Sequence, residues 1–193
     1  IKYLQRRKGG TILTYIRFII ATVLSLFLFS TFFISNSLAQ EVMLSKEDFL
    51  KTAFEEDIPK RKGLRFKGEV KETAQKIMGS NYKKIRIKYW RQGEKTAWIL
   101  EKIGKVKLIT AGFIIESCRI SSIHVLVYRE THGWEVKYPS FRDQFVGANM
   151  VGGSKLNKRI DGIAGATMSV NSMTKMAKLA LTMHDLVPET NCT

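Results

Sequence analysis

The chain has 193 residues, 45% of them hydrophobic and 25% charged, which is enough apolar material for one packed core and too little for two. Three prolines, fourteen glycines and no repeat of 20 to 50 residues exclude collagen-like, low-complexity and solenoid architectures. A formal charge of +15 points towards nucleic acid until the order of the basic residues is considered.

Residues 1–17 carry Lys2, Arg6, Arg7, Lys8 and Arg17 and no acid, and a 17-residue apolar run follows from Phe18 to Ile34. Ser37 and Ala39 then place small residues where a signal peptidase reads, so residues 1–39 are predicted to be an export signal cut before Gln40. The alternative is an uncleaved membrane anchor, the run being just short of the ~20 residues that span a bilayer. Beyond residue 39 the chain holds 27 basic and 17 acidic side chains, and this excess is then expected outside the cytoplasm, where nucleic acid is not a partner. Twelve Lys or Arg against five acids lie between Lys51 and Lys88. They suit a solvated face attracted to anionic lipid, or a basic surface that steers an acidic redox partner.

Ser45 and Asp48 ahead of Phe49, Leu50, Ala53 and Phe54 predict a capped amphipathic helix ending near Ile58-Pro59. A weaker helix is expected over Lys71 to Met78, stopped at Gly79-Ser80-Asn81. Four strands follow, Lys83 to Trp90, Thr96 to Ile103, Val106 to Ile115 and Ile120 to Tyr128, and succession at this spacing predicts an antiparallel meander. Pro139 to Val146 reads as a short helix carrying Phe141 and Phe145. After a small, basic loop, Met173, Met176, Ala177, Ala180, Leu181 and His184 recur at helical spacing and mark a C-terminal helix with one apolar face. The methionine-lined face fits a core. The fold class is α+β: an antiparallel meander flanked by helices, with residues 40–94 a basic helical and strand part and residues 95–193 the remainder of the same domain.

Cys118 and Cys192 permit a disulfide that the sequence does not demand. His124, His132 and His184 lack metal-ligand spacing, and there is no Cys-x-x-Cys-His, so neither zinc nor haem is expected. Glu130, Glu135, Asp143 and Asp161 are spread among loops without forming an acid/base pair, which weakens a stand-alone enzyme reading.

The segment Asp161-Gly-Ile-Ala-Gly165-Ala166-Thr167-Met-Ser169 stands immediately before the last helix. Its small residues allow close backbone approach, and Thr167 and Ser169 offer hydroxyls where helix N–H groups lack partners. Such a loop suits a phosphate, with Lys155, Lys158 and Arg159 available to add charge if it folds back. An ordinary N-cap, with Thr167 or Ser169 simply starting the helix, explains the same pattern.

This segment resembles the flavin-attachment motif of the FMN-binding domain family, which includes flavin subunits of sodium-pumping NADH:quinone reductases and of Rnf complexes. In that family the motif is an Asp followed by Ser/Thr-Gly-Ala-Thr, and Ala164 stands here where Ser or Thr is usual. The resemblance implies FMN as cofactor, joined by its phosphate to Thr167 by a flavin transferase that consumes FAD and magnesium. It implies cofactor contacts from Asp161, Gly165, Ala166 and Ser169. It also implies contacts from the turn Glu130-Thr131-His132-Gly133, which is similar to the family's Glu-Thr-Pro-Gly with His132 in place of Pro. The implied function is an exported electron carrier whose partners are redox proteins, such as an acidic cytochrome or a membrane reductase, with the membrane surface as a further contact. An FMN-dependent reductase of a small acceptor and a non-redox module binding anionic ligands are the alternatives. Trp90, Trp98 and Trp134 are aromatic candidates for stacking on the ring, although each fits a core or hairpin position as well.

Overall fold

The computed structural model describes residues 14–23, 41–188, 190 and 192. The chain divides into two units, residues 1–39 and 40–193. In the first, residues 14–23 are an exposed helix, α1, and the rest of the predicted export signal, including its predicted cleavage position, lies outside the described residues. Among the described residues no helix is long and apolar enough to cross a membrane.

The second unit is built on a six-stranded antiparallel sheet in the order β1-β6-β5-β4-β3-β2. Its centre is the predicted meander: β3 (Arg86–Gln92), β4 (Lys95–Ile103), β5 (Leu108–Glu116) and β6 (Arg119–Tyr128), each paired with the next. The edges are two short strands with no apolar alternation to announce them, β1 (Glu41–Val42) against β6 and β2 (Lys62–Arg65) against β3. β7 (Met150–Val151) and β8 (Lys155–Leu156) form a small separate hairpin within the expected loop. The sheet, with helices at both ends of the unit, makes the fold α+β.

One sheet face carries α5 (Thr167–Asp185) and α3 (Gly68–Met78), and the methionine face of α5 is fully buried there against Trp98, Leu100 and Phe113. The other face carries α2 (Lys46–Phe54), where Phe49 lies on Gly112 so closely that a Cβ would come 2.5 Å from its ring. Ser45 caps α2 as expected, accepting from the Asp48 N–H at 3.0 Å. This helix stops at Phe54 and not near Pro59, because Glu55 turns into positive φ. α3 begins at Gly68, three residues before the expected Lys71. The short helix after Pro139 splits into α4 (Pro139–Arg142) and a 3-10 turn (Asp143–Phe145), seating Phe141 and Phe145 in the core.

Two polar devices fasten α5. Trp98 Nε1 donates to Thr96 Oγ1 at 2.8 Å, and the same hydroxyl shares a hydrogen bond with His184 Nδ1 at 2.7 Å. Past the helix, Cys192 is disulfide-bonded to Cys118 on the β5–β6 turn. His184 sits beside that bond, so its nitrogen and the two sulfurs fall within 4.8 Å of one another, a convergence across 74 residues that local spacing could not reveal.

Burial lowers the His184 pKa to about 4, against a smaller opposing pull from Asp185. The unfolded chain takes up this proton near pH 6.5 while the folded chain refuses it. Stability from this group is therefore complete above pH 6.5 and drains away as pH falls towards 4, by on the order of 3 kcal/mol. His124 is shifted in the same direction by its own burial. Urea unfolding at pH 7.5 and pH 5 should show the loss, and His184→Gln should flatten it while keeping the part due to His124. An unchanged slope in the variant would remove His184 as the cause.

Candidate functional site

The site lies where α5 begins, at the end of the sheet formed by the last residues of β4 and β6. Ser172 in the first turns of α5 donates to the Ile103 carbonyl at 2.6 Å, which fixes the helix start against β4. Just beyond β4, a Cβ on Gly104 would lie 2.8 Å from Glu130 Oε1 and 3.2 Å from Ser169 Oγ, so these three residues meet in a space that only glycine leaves open. Beyond β6, Gly133 adopts φ +75, and a Cβ there would come within 3.1 Å of both Ala166 Cβ and Ser169 Oγ. The Glu-Thr-His-Gly turn and the loop before α5, 33 positions apart from Gly133 to Ala166, therefore pack directly on each other.

The two segments share a hydrogen-bond relay. Tyr128, the last residue of β6, donates its hydroxyl to the His132 carbonyl at 2.6 Å. Ser169 bonds the same hydroxyl; burial raises the Tyr128 pKa, and the Ser169 bond pulls it the other way. Glu130 Oε1 accepts from the Val106 and Lys107 N–H groups at 2.7 and 2.9 Å, so this carboxylate braces the β4–β5 turn. Thr131 and His132 are exposed and bonded to each other, Oγ1 to Nδ1, at 2.9 Å.

The loop itself is a tight turn closed by the Ala166 N–H on the Ile163 carbonyl at 3.0 Å. Gly165 within it takes φ +79, the conformation a type II turn demands of its third residue. The turn closes without a hydroxyl at Ala164. Asp161 is held by its N–H on Gln144 Oε1 at 2.7 Å, and its exposed carboxylate faces Arg159 at 3.7 Å. Lys158 donates to the Val146 carbonyl at 2.7 Å.

Position 166, an alanine, is the N-cap of α5, and no side chain caps the helix. Neither hydroxyl plays the capping role, since Ser169 is buried and bonded to Tyr128 while Thr167 is exposed at the first helical position. The N–H groups of Thr167, Met168 and Ser169 find no acceptor among the described residues. A helix of 19 residues thus presents its positive end and unsatisfied donors around one exposed hydroxyl, the arrangement that receives a phosphate.

Aromatic surface adjoins the loop. Trp134, next to Gly133, is 46% exposed and meets Tyr138 edge-on at 5.4 Å. Trp98 is fully buried and stacked on Tyr89, and Trp90 is buried under α2, so of the three tryptophans only Trp134 is open to a ligand. Residues 104–182 match the family model of the FMN-binding domain. This part of the chain is similar to an FMN-binding domain. The match begins at Gly104, the glycine wedged between Glu130 and Ser169, and takes in the turn, the loop and most of α5. No curated protein matches the chain.

The residues fit a flavin mononucleotide: the uncapped helix start for the phosphate, Gly165 with open space beside it for close approach, and the exposed Trp134 face for the ring. Sequence reading missed Tyr128, Gly104 and Tyr138. Tyr128 ends a strand like any core aromatic, and Gly104 looks like a simple strand stop. Replacing Gly133 with alanine puts a Cβ into positive φ and against Ala166 and Ser169, and is expected to cost about 1–2 kcal/mol. The loop before α5 should move with it: thermal melting and a time course of flavin incorporation should both decline, whereas Gly152→Ala in the open β7–β8 hairpin should affect stability alone.

Proposed function

We propose that the chain is an exported electron carrier whose FMN is joined through its phosphate to Thr167 Oγ. The observation that carries this reading is the exposed Thr167 hydroxyl at the first position of an uncapped 19-residue helix. In the attachment step a flavin transferase brings FAD. Thr167 Oγ forms a bond to the phosphorus on the FMN side, the bond to AMP breaks, AMP leaves, and the hydroxyl proton passes to a base of the transferase. The unsatisfied amides of Thr167, Met168 and Ser169 stabilise charge at that phosphate. FMN supplies reversible electron acceptance once held.

A covalent tether keeps the cofactor on a protein outside the cytoplasm, where a dissociated flavin would be lost by dilution. The exposed setting of Thr167 and Trp134 supports exchange with a partner protein. The amino-terminal basic and apolar order supports export, and the disulfide agrees with an oxidising compartment. The test is chemical. Protein isolated from cells that contain a flavin transferase should keep its flavin through denaturation in urea. It should exchange electrons with a one-electron acceptor such as ferricyanide, without sustained turnover of NADH and a soluble quinone. Sustained turnover by the purified protein would make it a reductase, and flavin released by urea would remove the covalent link.

A further inference from the structure

On the sheet face that carries α2, the helix covers β5, β6 and the Trp90–Ala97 end of β3 and β4, and leaves the other end of these two strands open beside β2. A groove of about 600 Å³ lies there, floored by Trp90 and Ile99. Arg86 and Lys88 project into it from β3, Arg61 and Lys83 from the segments that flank β2 and β3, and all four are exposed. None of the four meets a carboxylate among the described residues. Lys84 is paired with Glu101 at 3.6 Å, and Lys46 lies over the Trp90 ring at 5.7 Å. The Arg86 stem crosses Gly63 of β2, where a Cβ would be 2.9 Å from its Cδ, so the glycine lets this arginine lie across the groove.

We infer that this groove is the docking site for an acidic segment of the partner that exchanges electrons with the flavin, an inference that rests on the electron-carrier reading above. Four unpaired cations lining one hollow call for carboxylates, and the apolar floor suits the side chains between them. The hollow shape separates this occupant from a bilayer: a flat anionic surface would meet protruding cations first, whereas a protruding peptide segment fills a groove. The free edge of β2 adds unpaired backbone groups beside it. Glu101 in the groove and Gly104 at the flavin site lie on one strand and the turn that ends it, about 10 Å apart along the chain. A partner seated here is brought to the sheet end where Thr167 stands.

The experiment uses the flavinylated protein as isolated, with a fluorescent decaglutamate peptide and vesicles containing phosphatidylglycerol as probes. Arg86→Glu with Lys88→Glu should weaken peptide binding at least tenfold, while Lys71→Glu with Lys76→Glu, the same charge change on α3, should alter it less than twofold. Peptide affinity should also fall as salt rises, as unpaired surface charges require. Equal losses in the two variants, or no loss in either, would overturn the site. Groove-dependent binding of the vesicles without groove-dependent binding of the peptide would overturn the choice of occupant. Flavin content, read from the intact mass of each sample, reports separately on the reading beneath: an absent adduct defeats the covalent carrier and leaves the peptide result standing.

Discussion

Thr167→Ala is expected to abolish flavin that survives denaturation, and Thr167→Ser to retain it. The serine keeps the hydroxyl at the same helical position, whereas alanine leaves the helix start and its amides intact with nothing to bond phosphorus. Ser169 is the informative neighbour. It lies only two positions away and carries the same functional group, but it is 3% exposed and bonded to Tyr128, so Ser169→Ala should still yield a covalent adduct. Because Thr167 is exposed and caps nothing, Thr167→Ala should leave stability within about 0.5 kcal/mol of the parent. In-gel flavin fluorescence of the three variants beside their urea melts separates loss of the acceptor from loss of the fold. Fluorescence persisting in Thr167→Ala would move the attachment elsewhere.

The second large effect is on stability. The Cys118–Cys192 bond closes a loop across 74 residues, and replacing both cysteines with serine should cost about 4 kcal/mol by the chain-entropy argument, lowering the melting midpoint by roughly 10 °C. Part of this cost has a local origin. Ser117 and Cys118 both adopt positive φ, at 49° and 62°, in a hairpin turn whose conformation normally selects Asn-Gly. The bond to Cys192 holds Cys118 in that conformation. Adding Ser117→Asn and Cys118→Gly to Cys192→Ser should therefore recover about 1 kcal/mol relative to the double serine variant. Unfolding curves under non-reducing conditions measure both differences. Equal stability of the parent and the double serine variant would show that α5 is held by its core and the Thr96–His184 bond alone.

Much of this was legible in the sequence, and for identifiable reasons. Strands β3 to β6 alternate or run apolar between clear turn residues, and the buried face of α5 repeats at helical spacing through Met173, Met176, Ala180 and His184. The Ser45–Asp48 cap is a local signal and was met by a local bond. What escaped depends on distant partners. β1 and β2 are strands only because β6 and β3 offer them an edge. The Cys118–His184–Cys192 convergence spans the sheet and the last helix. At the site, the motif from Asp161 to Ser169 was visible, but the burial that distinguishes Ser169 from Thr167 comes from Tyr128 and Gly133, which no spacing connects to them. Beside the motif, Lys158 binds the Val146 carbonyl and Arg159 faces Asp161, partners that the basic run alone did not announce.

The attachment of FMN to Thr167 is tested most directly by mass spectrometry of the tryptic peptide from residue 160 to Lys175, taken from protein made in cells that contain a flavin transferase. The expected peptide is heavier by FMN less one water, with fragmentation placing the addition on Thr167. An unmodified peptide from such cells, or an addition located on Ser169, Ser172 or Thr174, would contradict it.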